Sequence, residues 1–337
     1  MRPSPAIGPK ETRHHEYWLL DGSVVVCVQK TCFKLHRSTL INKSKYFKSI
    51  ISDPPLGTDG LRCDIDDVSV LDFERLLKAI DAGVYVLYQL DASNSFHSPP
   101  FRAYVFEPPP FHVLASILRA ASTLEFTQEL EFASRSIRAM WPCELAGLTK
   151  DGIPNAAATI NLAKDCDMPE VLKRAYYELL RSDALGQDPE NFDFERQEDH
   201  DNSTIPRDDL ISLIKTREQL WGQWYSLADR PPNKNGFYCP LQLVPNPEGD
   251  QPAPTPEQLK CASAHEKSFE HWDTQVKTSG IFQEFMYDPL CGLERLSKIE
   301  WEKLGYCDGC VKSWRRQWGI DRAKLWGNLD VWLRLTE

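Results

Sequence analysis

Two cysteines near the C-terminus form the clearest chemical motif of this 337-residue sequence. Cys307-Asp308-Gly309-Cys310 is a C-x-x-C pair with a glycine where a tight metal-binding turn requires one. Two thiolates so spaced supply half of the tetrahedral shell of a structural Zn²⁺. The motif predicts a zinc site if a second ligand pair lies elsewhere in the chain. The alternative is a pair of thiols that pack among tryptophans at a helix start.

The second pair of ligands is less regularly spaced than the first. The best partners have the spacing C-x-x-x-H, and three further residues could replace them. The preferred pair is Cys261 with His265. The alternates are Cys239 and His271, and Cys291 is the least favoured. A structural zinc ion bound by Cys307, Cys310, Cys261 and His265 is therefore the cofactor that the sequence predicts.

One arrangement in the N-terminal half could suggest nucleophilic catalysis, because His36 lies two residues before Ser38. A single histidine at a strand-to-helix junction more often satisfies backbone groups, and Ser38 is placed to cap a helix. The sequence also lacks G-x-G-x-x-G, a phosphate-binding loop, H-E-x-x-H and G-x-S-x-G. We therefore predict no catalytic residues and a protein that is not an enzyme.

The charge and hydropathy of the chain limit its partners. A formal net charge of -10 argues against broad nucleic-acid binding, which needs an excess of lysine and arginine. Residues 311–318 do interleave basic and aromatic side chains, but the spacing of Trp314 and Trp318 favours tryptophans packed inside a helical module. The sequence shows neither a leader peptide nor an apolar run of membrane-spanning length. Its ten scattered cysteines favour thiols in a reducing compartment, the cytoplasm, the nucleus or both.

The elements that precede these motifs predict an α+β domain over residues 17–142, after a flexible segment 1–16. The β-branched run 23–28 and the alternating run 31–35 predict a hairpin. A helix should follow from His36 to Ile51, and then a strand over 61–65. Apolar residues at helical spacing predict three more helices, over 70–80, 113–124 and 130–140.

The order of these elements, together with specific residues, resembles the BTB/POZ domain, most closely that of fungal BTB proteins. The matching segments are Asp21-Gly22-Ser23-Val24-Val25, Phe33-Lys34-Leu35-His36-Arg37-Ser38-Thr39-Leu40 and Ser44-Lys45-Tyr46-Phe47. The resemblance implies a scaffold for homo- or hetero-oligomerisation, in which the Asp-Gly strand and the helix after the histidine frame the core and the dimer interface. It points to Asp21, His36, Arg37, Tyr46 and Phe47 as interaction residues.

An inserted loop at about 88–110 departs from compact BTB domains. Family members that recruit cullin ubiquitin ligases carry a hydrophobic-x-Glu motif near this position, and Val105-Phe106-Glu107 fits it. Binding to a cullin is therefore an alternative function of this loop, and Glu107 would be the interaction residue.

The remaining chain contains two helical regions and two segments of biased composition. Residues 153–229 resemble the BACK region that follows BTB domains, and within them nine acidic residues mark an acidic loop at 188–209. Eight prolines over 231–257 predict a linker, and a tryptophan-rich helical module follows over 258–337. We expect an adaptor for an unidentified client protein. The alternatives are a substrate adaptor of a cullin ligase and a transcriptional or nucleic-acid-associated regulator.

Overall fold

The computed structural model describes residues 10–52, 61–82, 109–182, 205–232, 239 and 253–335. It shows a mixed α+β protein with a small four-stranded sheet near the N-terminus. The chain divides into two compact units. The first comprises Met1–Trp141 and Leu162–Met168, and the second comprises Pro142–Asn161 and Pro169–Glu337.

The sheet of the first unit contains β1 (Thr12–Trp18), β2 (Val24–Val28), β3 (Thr31–Leu35) and β4 (Leu61–Ile65), in the order β1-β3-β2-β4. β2 and β3 form the predicted antiparallel hairpin, whereas β1 pairs with β3 and β4 pairs with β2 in parallel. β1 begins five residues before the predicted start of the domain and lies partly in the segment predicted to be flexible. Both lateral edges of the hairpin are therefore occupied by neighbouring strands.

The two faces of the hairpin are both buried. On one face Phe33 contacts Phe73 edge-on, with ring centroids 4.9 Å apart. On the other face Val25, Cys27 and Cys32 form a small cluster against Trp18. The strand register places Cys27 directly opposite Cys32, and the two form a disulfide, which corrects the expectation of thiols alone.

The described residues of the first unit also form five α-helices: α1 (Arg37–Lys43), α2 (Lys45–Ile51), α3 (Val70–Asp81), α4 (Phe111–Thr123) and α5 (Thr127–Met140). The single helix predicted from His36 to Ile51 is instead α1 and α2, because Ser44 between them is extended. Its Oγ accepts from the N–H of Phe47 at 2.9 Å and donates to the carbonyl of Leu124 at 2.6 Å. Ser38 lies inside α1, so the prediction that it caps this helix was wrong.

All the regular secondary structure in the described residues of the second unit is helical. Its α-helices are α6 (Ala156–Asp165, of which Leu162–Asp165 count with the first unit), α7 (Pro169–Arg181), α8 (Arg207–Ala228), α9 (Pro256–Glu266), α10 (Ser268–Trp272), α11 (Ile281–Glu284), α12 (Pro289–Ser297) and α13 (Asp308–Trp332). 3₁₀ turns cover Leu145–Gly147 and Trp301–Leu304, and a π-helical stretch covers Asp273–Thr278. No helix in the described ranges combines the length and apolar character needed to cross a bilayer.

Tryptophans fill the core of the second unit. Trp272 stacks on Trp301 with centroids 5.4 Å apart, and Trp301 also contacts Trp314 and Trp318. All four rings are buried. The prediction that the tryptophans of the C-terminal module pack inward is confirmed for these residues. Such an aromatic core contributes a large buried apolar area and fixes the helices around it.

A buried polar network joins α7 to the start of α12. Arg181 pairs with Glu178 at 2.6 Å and with Asp288 at 2.9 Å, and Arg174 also pairs with Glu178 at 2.8 Å. Tyr177 donates its hydroxyl proton to Asp288 at 2.7 Å. Two guanidinium groups thus balance two carboxylates in a largely buried site.

Candidate metal centre

Four cysteine thiols of the second unit lie within 4.8 Å of one another: those of Cys239, Cys261, Cys307 and Cys310. The Sγ of Cys239 lies 3.7 Å from that of Cys261 and 3.8 Å from that of Cys307. A tetrahedral zinc site with Zn–S distances of about 2.3 Å has edges of about 3.8 Å between its sulfur atoms. The measured separations therefore fit four ligands around one metal ion.

Local backbone geometry brings three of these thiols together. Cys307 is the N-cap of α13, and Cys310 lies in the first turn of that helix. The left-handed Gly305, with φ of 98°, ends the preceding 3₁₀ turn and leads the chain into the C-x-x-C motif. Cys261 reaches the same point from the buried side of α9. Cys239 comes from the chain between α8 and α9.

Backbone N–H groups stabilise negative charge on two of the buried sulfurs. The N–H of Cys307 donates to Cys261 Sγ at 3.3 Å. The N–H of Cys310 stabilises the thiolate of Cys307. Both groups belong to the start of the 25-residue helix α13, where the helix dipole also favours negative charge.

The pKa values of the thiols reflect their crowding. Burial opposes ionisation of Cys307, but hydrogen bonds from the N–H of Cys310 and from neighbouring thiols lower its pKa. Burial and the neighbouring thiols raise the pKa of Cys261 and of Cys310. A bound divalent cation would stabilise all four sulfurs as thiolates.

The structure groups three of the four predicted zinc ligands with one alternate. Cys261, Cys307 and Cys310 belong to the set of four, and Cys239 takes the place that the sequence assigned to His265. The Nε2 of His265 lies 3.3 Å from Cys310 Sγ, beside this set.

The other two alternates have different partners. His271 Nδ1 lies 3.2 Å from the hydroxyl of Tyr306. Cys291 lies beside the buried polar network, with its Sγ 3.8 Å from Arg181 Nη1. Burial and the nearby Asp288 raise the pKa of Cys291 to about 12.

The interaction residues suggested by the BTB resemblance lie in different surroundings. Asp21 is 81% and His36 is 41% exposed in their side chains, and they pair at 3.6 Å. Arg37 donates through Nε to the carbonyl of Ile51 at 2.8 Å, so its side chain closes the end of α2. Tyr46 is half-buried.

The other two predicted interaction residues are Phe47 and Glu107. Phe47 is 0% exposed and packs edge-on against Phe126, which places it in the core and corrects its assignment to an interface. Glu107, the residue of the cullin-binding alternative, lies outside the described residues.

Arg315, Trp314 and Trp318 of α13 are engaged within the second unit. Arg315 pairs with Glu302 at 2.6 Å and donates to the carbonyls of Ser297 and Ile299. The rings of Trp314 and Trp318 are buried. Bases of a single strand could not stack on these rings without opening the core, so this segment does not favour the nucleic-acid alternative.

Comparison with known proteins leaves the geometry of the centre as the main guide to function. No protein-family model matches the chain. Among curated proteins no significant match is found either. The resemblance of residues 17–142 to the BTB/POZ domain therefore stays a prediction from the sequence.

Proposed function

We propose that this chain is a non-enzymatic protein-interaction adaptor whose C-terminal helices are held together by one structural zinc ion. The cluster of Cys239, Cys261, Cys307 and Cys310 carries the metal half of this proposal. Four thiolates complete a tetrahedral shell and leave no position for water or substrate, which is typical of structural rather than catalytic zinc. Bound zinc would join the segment at residue 239, helix α9 and the start of helix α13.

The order of elements in the first unit supports the adaptor half. A central hairpin is followed by the helix pair α1 and α2, strand β4, helix α3 and the helix pair α4 and α5. Apart from the division of the first predicted helix into α1 and α2, this order is the one that the BTB resemblance implies. The exposed pair of Asp21 and His36 provides a polar surface beside the hairpin. Self-association through this unit is the function that we infer for it.

Native mass spectrometry of the full-length protein, before and after chelation, tests both halves in one measurement. We expect a dimer that carries one zinc ion per chain. A Cys307→Ser/Cys310→Ser variant should lose the metal, because two of the four ligands are gone. Cys143→Ser, which alters a partly exposed thiol outside the cluster, is the matched control and should keep it.

The outcomes separate the two halves of the proposal. A metal-free wild-type protein would overturn the zinc centre. A monomer at micromolar concentration would overturn self-association through the first unit. If chelation removes zinc and leaves a dimer, the two functions reside in different units, as we propose.

A further inference from the structure

We propose that His265 is a positioning residue of the zinc centre: it donates an Nε2–H···S hydrogen bond to Cys310 and does not bind the metal itself. This inference rests on the zinc centre proposed above. It concerns the choice between a Cys₄ shell, in which His265 lies outside, and a Cys₃His shell, in which His265 replaces Cys239.

The position of His265 follows from the geometry of α9. His265 lies four residues after Cys261, so both side chains project from neighbouring turns of one helix face. Its Nε2 lies 3.3 Å from Cys310 Sγ, which is hydrogen-bond distance to sulfur. Its ring contacts Tyr306 and Trp314 edge-on, with centroids 5.3 Å and 6.0 Å away. These contacts hold the imidazole beside a shell that four sulfurs already complete.

The charge of the shell explains why such a donor is needed. One Zn²⁺ with four thiolates has a net charge of -2, and burial of this charge is costly unless N–H groups solvate the sulfurs. Cys261 receives the N–H of Cys307, and Cys307 is stabilised by the N–H of Cys310. Cys239 is partly exposed, so water can reach it.

Cys310 is the remaining buried sulfur, and His265 is the donor that lies against it. A thiolate carries no proton, so the bond requires the hydrogen to be on Nε2 of the imidazole. Each buried sulfur of the centre then has one N–H donor. Removal of the imidazole would leave the Cys310 thiolate buried with its charge poorly compensated.

Cobalt binding to the full-length protein distinguishes a donor from a ligand. The probe is Co²⁺, whose thiolate charge-transfer and d–d absorption bands report the number of sulfur ligands, followed by competition with Zn²⁺ and a chelating indicator. The variants are His265→Phe, which keeps an aromatic ring without the N–H, and His265→Gln, which keeps an N–H near the Nε2 position. His271→Phe is the matched control, because His271 also contacts Tyr306 but has no cysteine contact among its described partners.

We expect the wild-type protein and all three variants to show the same four-sulfur spectrum. His265→Phe should bind metal about 10–100-fold more weakly, the effect typical of a lost hydrogen bond to a metal ligand. His265→Gln should recover part of this loss, and His271→Phe should match the wild type. If His265→Phe does not fold, as judged by circular dichroism, His265→Ala replaces it in the comparison with His265→Gln.

Three results would overturn the inference. Two concern the role of His265, and the third concerns the zinc centre itself. A change in the spectrum on loss of His265 would make it a ligand. Unchanged affinity in His265→Phe would remove its role as a donor. A wild-type protein that binds neither Co²⁺ nor Zn²⁺ would overturn the zinc centre itself, and that failure is recognised before any variant is compared.

Discussion

Arg181 is the residue on which the buried polar network of the second unit depends most. Its guanidinium group pairs with both Glu178 and Asp288, and it also donates to the carbonyl of Asp151 at 2.9 Å. The side chains of all three charged residues are largely buried. A partner lost from such a group leaves an uncompensated charge, which costs far more than a lost surface pair.

We expect Arg181→Met to lower the free energy of unfolding by about 3–5 kcal/mol, because two carboxylates would lose their shared cation in a buried site. Lys298→Met is the matched control, since Lys298 pairs with Glu294 at the surface. Lys298→Met should lower the free energy of unfolding by less than about 1 kcal/mol. Denaturant unfolding of the two variants measures both values, and equal losses would show that the network is not buried in solution.

The zinc ligands show how far residue types alone can predict a site. Cys307 and Cys310 were recognised because their spacing is local and specific. The choice between Cys239 and His265 depends on where residue 239 lies relative to α13, and the spacing of residues in the sequence does not encode that position. His265 was predicted as a ligand because it lies four residues after Cys261 in the sequence. The fourth sulfur instead belongs to Cys239, which lies in a proline-rich stretch with no motif of its own.

Ser44 determines where α1 ends and α2 begins. Its extended backbone and its two side-chain hydrogen bonds are the reason that one predicted helix became two. The bond to Leu124 spans 80 residues of sequence. A tertiary contact of this kind is invisible to helical periodicity, which continues through the break.

We expect Ser44→Ala to lower the free energy of unfolding of the first unit by about 1–2 kcal/mol, because both the N-cap of α2 and a buried partner of Leu124 are lost. Ser38→Ala is the control. Ser38 is exposed within α1, so alanine there should change stability by less than about 0.5 kcal/mol. Thermal or urea unfolding measures the stability of both variants. A larger loss of stability in Ser38→Ala than in Ser44→Ala would show that Ser38 caps a helix after all.

Gly292 allows α12 to pack closely against α8. A Cβ atom at this position would lie 2.6 Å from Trp224 Cη2 and 2.8 Å from Phe285 Cβ. Both neighbours are buried, so they have little room to move. The glycine is needed here for close approach and not for backbone conformation.

Gly292→Ala should therefore destabilise the second unit by about 1–3 kcal/mol through overpacking, even though alanine favours helix formation. Gly319→Ala is the control, since a Cβ there meets nothing within 4 Å on α13. We expect it to stabilise the unit by up to about 1 kcal/mol. Chemical denaturation followed by tryptophan fluorescence measures the change in unfolding free energy of both variants. An unchanged stability in Gly292→Ala would refute the close packing.

Strand β1 illustrates why part of the sheet could not be predicted. Of its seven residues only His14 and Tyr17 are buried, three positions apart, so the strand lacks the alternation that indicates a sheet. Its pairing with β3 also shifts register between Arg13 and Trp18. The hairpin of β2 and β3, in contrast, was predictable because β-branched residues and a short turn encode it locally.

At the scale of the whole molecule, the two units should respond differently to loss of metal. Chelation should lower the unfolding midpoint of the second unit, whose helices α9 and α13 share the proposed zinc shell, and leave that of the first unchanged. Differential scanning calorimetry with and without chelator tests this. Ser44→Ala provides the converse control, because it should affect the first unit alone. A parallel shift of both transitions would contradict the separation.

The ligands of the proposed centre are far apart in sequence, with a separation of 68 residues from Cys239 to Cys307. During synthesis at roughly 5–20 residues per second, Cys239 would leave the ribosome roughly 3–14 seconds before Cys307. Through this interval the nascent chain carries at most two of the four ligands, Cys239 and Cys261, and only the last ligand, Cys310, completes the shell. Metal binding would then be a late step in biosynthesis, and a chain truncated before residue 310 could not complete the metal site.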